Sequence, residues 1–146
     1  MSKTSDTTIT LTPIGYVIRE GEANGLSIPA LQAQRTQIVI APQYVDGLLG
    51  IEAGSDLVVL YHFDRASDDV LQVHPRGDRS RPLRGVFATR SPVRPNRIAV
   101  TTVRVLKVKD NVLDVVGLDA LDGSPVRDIK SHAPTFAQPY EGQPTM

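Results

Sequence analysis

The residues best equipped for chemistry crowd into one stretch: Arg84-Gly85-Val86-Phe87-Ala88-Thr89-Arg90-Ser91-Pro92-Val93-Arg94-Pro95-Asn96-Arg97. Arg84, Arg90, Arg94 and Arg97 are interleaved there with two prolines, an Asn and one short apolar run. Pro92 and Pro95 fix φ, lack an N–H and push Ser91 and Arg94 toward extended backbone, so the part beyond Ala88 reads as a stiff, non-helical loop. A guanidinium keeps its charge and offers five donors in a planar fork, which suits carboxylates, phosphates or base edges. Upstream, Arg76, Arg79 and Arg81 extend the run, and Asp78 is the lone acid between residues 76 and 97. This pattern predicts an anion-binding loop. A nucleic-acid backbone, a nucleotide-like cofactor and an acidic metabolite all stay open as its ligand.

A second segment, Leu118-Asp119-Ala120-Leu121-Asp122-Gly123-Ser124-Pro125-Val126-Arg127-Asp128-Ile129-Lys130, follows a strand. Asp122-Gly123-Ser124-Pro125 is a turn signature, so Asp122 is as much a turn former as a functional residue, and Asp128 and Lys130 read as surface residues. Asp119 is not needed by that turn and is the better candidate for holding a ligand amine or hydroxyl. Other chemistries find little support. The chain has no cysteine, which removes disulfides and thiolate chemistry. His62, His74 and His132 lack a metal-ligand spacing, and His62 reads as a structural histidine. Neither a Gly-x-Ser-x-Gly elbow nor a Gly-x-Gly-x-x-Gly or Walker loop occurs.

The elements that must carry these loops are strands. Alternating or β-branched runs fall at 8–19, 37–41, 56–63, 85–88, 98–109 and 112–118, and the short run from Gly85 to Ala88 is expected to cross the core. Lys109-Asp110-Asn111 is a tight turn that makes a hairpin of the last two runs. In the longer of these, Ala99, Thr101, Val103 and Val105 share one face, while Ile98, Val100, Thr102 and Leu106 share the other. Both faces are partly apolar, as for a strand covered on both sides or lying at a subunit contact. The one plausible helix is a short piece at 43–49. About six strands without βαβ alternation indicate an all-β protein, a barrel or a sandwich. Residues 20–35 and 64–83 are expected to be long functional loops.

At 146 residues with 16 basic and 16 acidic side chains, the chain is one neutral domain with its charge sorted in sequence. No apolar run nears the ~20 residues that cross a bilayer, and the start lacks a signal-peptide core; a soluble cytoplasmic protein is the expectation.

Taken together, Gly85 to Asn96 and Leu121 to Lys130 strongly resemble the TsaA-like family, whose characterised branch is TrmO. Pro13-Ile14-Gly15-Tyr16-Val17-Ile18-Arg19, Ile40-Ala41-Pro42 and Gly47-Leu48-Leu49-Gly50-Ile51-Glu52 match its opening segments. The resemblance runs from about Thr12 to about Pro134, leaving 1–11 as an N-terminal extension, 12–134 as the β-barrel domain and 135–146 as an extended tail. It implies a small homodimeric β-barrel that binds S-adenosyl-L-methionine without a Rossmann fold, needs no metal or membrane, and N6-methylates threonylcarbamoyladenosine beside the tRNA anticodon. It further implies cofactor contacts at Arg90, Val100, Leu118 and Asp119, at Pro29-Ala30-Leu31, and at Asp64-Arg65, which replace a His-Gln pair. Arg84, Arg94, Asn96, Asp122 and Lys130 are the expected acceptor-binding residues. No general base is assigned. After Asn96 the family has Pro and then Ile-Gly, whereas this chain has Arg97-Ile98-Ala99. Two alternatives stand beside this reading: a methyltransferase acting on a small anionic metabolite, and a non-enzymatic barrel that binds S-adenosyl-L-methionine or RNA.

Overall fold

Strand-forming runs with one apolar parity close into a barrel because closure leaves no edge unpaired and buries that parity inside. The computed structural model describes residues 7–21, 26–63, 70–133, 138–139 and 141–145. In chain order its strands are β1 (Gly15–Ile18), β2 (Arg35–Ile40), β3 (Asp56–His62), β4 (Gln72–Val73), β5 (Arg84–Gly85), β6 (Ile98–Lys109), β7 (Val112–Val116) and β8 (Pro125–Ser131). The barrel order is β1-β2-β7-β6-β3-β8 with every neighbouring pair antiparallel, and β4 pairs with β5 as a separate two-stranded arm. The interior is filled by Val17, Ile38, Leu57, Val59, Val103, Val105, Leu113, Val115 and Val126, each nearly or fully buried. Each such side chain contributes about 1.5–3 kcal/mol on burial.

One turn and one close strand approach fix the register. Asp110 takes φ 54° between Lys109 and Val112, and the side-chain amide of the adjacent Asn111 donates to the Ile40 carbonyl at 2.7 Å, tying the β6–β7 hairpin to β2. Gly15 lies so close to β2 that a Cβ there would sit 2.1 Å from the Val39 carbonyl oxygen. Among the described residues no helix is long and apolar enough to cross a membrane.

Several local expectations are corrected. Residues 85–88 do not cross the core: Arg84–Gly85 pairs with β4, Val86–Ala88 is a 3-10 turn, and only Val86 is buried while Phe87 is 80% exposed. The stretch 8–19 yields only β1, and the piece near 43–49 is a 3-10 helix over Pro42–Leu48. The polar region 20–35 contains a true helix, α1 (Ile28–Ala33), with the Ser27 hydroxyl accepting from the Ala30 N–H and a proline in its first turn. The barrel-closing strand β8 shows no alternating run in the sequence because its apolar residues Val126 and Ile129 break the period of two. A bulge against Leu60/Tyr61 inserts Arg127 as the extra residue.

Candidate functional site

One end of the barrel is built by the first half of β6, the end of β3, the 117–121 segment after β7, and α1. A cavity of about 1610 Å³ opens there, lined also by the β4–β5 arm and the 88–94 loop. Its floor follows from strand parity. Leu57, Val59 and Tyr61 alternate inward along β3, so the Tyr61 phenol ends under the cavity; Ala99 and Thr101 do the same on β6. A buried hydroxyl needs a partner, and both find the same one. Tyr61 Oη donates to Asp119 Oδ1 at 2.7 Å, and Thr101 Oγ1 donates to the same oxygen at 2.8 Å. No hydrogen bond from a described residue ends on Oδ2. Burial, reinforced by the hydrogen bond to the Asp119 carboxylate and its charge, pushes the Tyr61 phenol well above its ordinary pKa, so it stays a donor. The Phe63 ring meets Tyr61 edge-on, with centroids 5.5 Å apart, and lines the same floor.

The rest of the lining is strongly cationic. Arg76, Arg79, Arg81, Arg84, Arg90 and Arg94 all line the cavity, while Asp119 is the one carboxylate among its described lining residues. Arg94 is spent on the loop itself, donating to the Thr89 and Ser91 carbonyls at 3.2 and 3.0 Å. Thr89 and Ser91 side chains brace the same turn. Arg90, exposed, makes no hydrogen bond or ion pair with a described residue and is available to an anion. On the arm, Asp78 accepts from Ser80 and lies 3.6 Å from the Arg81 guanidinium. His74 Nδ1 is 2.9 Å from the Arg81 carbonyl oxygen, which can only accept, so Nδ1 carries the proton and Nε2 is a lone-pair acceptor on the neutral ring. Arg76 holds φ 57° on this arm, an unusual backbone state for a non-glycine residue.

Of the residues singled out in the sequence, the fold brings Pro29, Arg84, Arg90, Arg94, Val100 and Asp119 to this one cavity. Ala30, Leu31 and Leu118 lie behind the wall, Leu31 and Leu118 buried. Asn96 falls outside the lining. Asp122 Oδ1 accepts from the Arg19 backbone N–H at 2.8 Å, and Lys130 pairs with Asp128 at 3.1 Å on β8, away from the cavity. Asp64 and Arg65 lie outside the described residues. Tyr61, Thr101, Phe63 and His74 were not among the expected site residues. The signal for Tyr61 was present, since its parity with Leu57 and Val59 turns a polar tip inward. His62, expected to be structural, sits beside Arg127, with Nη2 at 2.7 Å from its Nδ1.

Residues 26–138 match the family described as tRNA-methyltransferase O N-terminal domain. An S-adenosyl-L-methionine-binding protein of Archaeoglobus fulgidus is 50% identical over 110 residues, covering 74% of this chain and 78% of that protein. A probable S-adenosyl-L-methionine-binding protein of Methanothermobacter thermautotrophicus is 42% identical over 131 residues, 88% of this chain and 93% of that one. The crystal structure of TrmO from Pseudomonas aeruginosa superposes with a TM-score of 0.68 at 30% identity, over 94% of this chain and 61% of that chain. A further TrmO crystal structure gives 0.69 at 30% identity, covering 64% of its chain. This chain therefore spans less than two thirds of the solved TrmO chains it resembles.

Proposed function

The chain belongs to the tRNA-methyltransferase O N-terminal domain family, and from that premise we propose that it is an S-adenosyl-L-methionine-dependent methyltransferase acting on tRNA, at N6 of threonylcarbamoyladenosine beside the anticodon. The observation that carries this reading is the meeting, in one cavity, of the Asp119 carboxylate, held by two hydroxyls, with a wall of arginines. The volume of about 1610 Å³ exceeds what one small ligand needs, which leaves room for a donor and part of an acceptor together.

The residues present fit the cofactor. With Oδ1 of Asp119 occupied, its Oδ2 is an acceptor for an amine or ribose hydroxyl, Phe63 offers an apolar face to a base or a cationic centre, and Arg90 offers a fork for a carboxylate. When bound, the cofactor supplies a methyl group on a positively charged sulfur, an already activated donor. What remains for the protein is alignment, exclusion of water and removal of one proton. Arg76, Arg79, Arg81 and Arg84 hold acceptor phosphates. Arg94 acts one step back, by fixing the loop that carries Arg90. Among the described lining residues His74 presents Nε2, the ring nitrogen that the Arg81 carbonyl does not engage, whereas the Asp119 carboxylate is committed to Tyr61 and Thr101. His74 Nε2 therefore receives the proton shed by the acceptor nitrogen. The homodimer implied by the resemblance belongs to this reading, and sedimentation equilibrium tests it.

The deciding assay incubates the protein with methyl-labelled S-adenosyl-L-methionine and total tRNA from cells that carry or lack the threonylcarbamoyl modification. Label entering only modified tRNA is the expected result. Label in both pools overturns the choice of acceptor, and label in neither overturns tRNA as the substrate.

A further inference from the structure

Arg19 carries a charge where charge is expensive. It follows β1 on the inward parity of Gly15 and Val17, and only 4% of it meets solvent. Four guanidinium hydrogen bonds compensate: Nε donates to the Ala120 carbonyl at 2.9 Å, Nη2 to Leu118 at 2.6 Å, and Nη1 to the Leu31 carbonyl at 3.1 Å and Gln34 Oε1 at 2.9 Å. No described carboxylate forms an ion pair with it, although the Asp119 charge offsets part of the burial penalty that depresses its pKa.

The acceptors fall into two groups. Leu118 and Ala120 flank Asp119. Leu31 and Gln34 close the end of α1, whose Ile28, Pro29 and Gln32 line the cavity. A backbone bond from the Gly117 N–H to the Gln32 carbonyl, 2.8 Å, runs alongside. One planar fork thus spans from the helical wall to the residues on either side of the cavity's carboxylate. A well-packed apolar side chain at this inward position would serve stability at least as well, so the retained charge points to geometry as its use.

We infer that Arg19 is a positioning residue, locking α1 and the Leu118–Ala120 segment into one rigid wall so that Asp119 is held at a set place in the cavity that the arginines line. The binding part of its test rests on the methyltransferase reading above; the exchange part does not.

Arg19→Lys keeps the charge but offers three donors from a single point, which cannot span four acceptors. In the ligand-free variant, amide hydrogen exchange is expected to quicken together at 28–34 and 117–121 while β3 and β6 keep their protection. The dissociation constant of S-adenosyl-L-methionine should rise about tenfold or more at a temperature where the melting curve shows the variant folded. In turnover, KM for the cofactor should move further than kcat. Gln34→Ala removes one end of the tie without stranding a charge; it shifts both readouts the same way by less, and decides the question if Arg19→Lys does not fold. Exchange that rises uniformly through the barrel, or folded variants that bind as tightly as the parent, would make Arg19 a stability residue only and overturn the inference. A parent protein that does not bind the cofactor defeats the methyltransferase reading instead, and the exchange pattern alone then decides the role of Arg19.

Discussion

The Tyr61 hydroxyl and the Asp119 carboxylate meet at 2.7 Å across 58 residues of sequence, and this contact joins β3 to the segment after β7 at the floor of the cavity. Because burial and the Asp119 charge raise the phenol's pKa, ionising it opposes folding. The linked stability is complete below the unfolded tyrosine value of about 10 and is lost as pH climbs through the higher folded value. Phenolate absorbance at 295 nm should therefore show one tyrosine that ionises only as the protein unfolds in alkali, and Tyr61→Phe should remove it. That variant loses a hydrogen bond to a charged acceptor, about 1.5–3 kcal/mol, and its cofactor affinity should fall because only Thr101 still holds Asp119.

Arg90 and Arg94 stand four residues apart in one loop but do different work. Arg90 lines the cavity and bonds no described residue, so Arg90→Ala should abolish cofactor binding by calorimetry while leaving the melting temperature within about a degree or two, as for an exposed substitution. Arg94 donates to two carbonyls of its own loop. Arg94→Ala should weaken binding less and lower the loop's protection against proteolysis. Equal binding losses in the two variants would contradict this division.

If the arginine wall holds phosphates, affinity for tRNA must fall steeply with salt. The slope of log K against log salt should become shallower by about one unit for each of Arg76, Arg79, Arg81 and Arg84 replaced by Ala. A shallow slope in the parent protein would favour a small anionic acceptor.

His74 is assigned the proton of the acceptor nitrogen. His74→Ala should lower single-turnover methyl transfer about 100-fold, within the usual range for a general base, with cofactor affinity unchanged. His74→Gln keeps a donor toward the Arg81 carbonyl but lacks a basic nitrogen; it should be as impaired as His74→Ala if the proton transfer matters, and near normal if only the loop contact does.

Gly15 tests the barrel itself. A Cβ placed 2.1 Å from the Val39 carbonyl oxygen cannot be accommodated without moving β1 away from β2. Gly15→Ala should cost about 1–3 kcal/mol or more in urea unfolding, with the m-value unchanged.

Strand parity was legible from residue order. Val17, Leu57, Val59, Val103 and Val105 point inward as their alternation requires, and about six such runs in one chain specify an all-β fold, a barrel or a sandwich. The Phe87-to-Asn96 string and its prolines likewise announced both a family and a rigid cationic loop, because φ restriction and charge are local properties. Tertiary structure decided the rest. That Tyr61 and Thr101 converge on Asp119, that Arg19 grips carbonyls 99 and 101 residues away, and that β8 closes the barrel through a bulge all depend on which strands become neighbours and at what register. Those relations are set by closure of the whole sheet around its core. No window of local sequence contains both partners of such a contact, so the cavity's carboxylate, its donors and its brace come into being only when the barrel does.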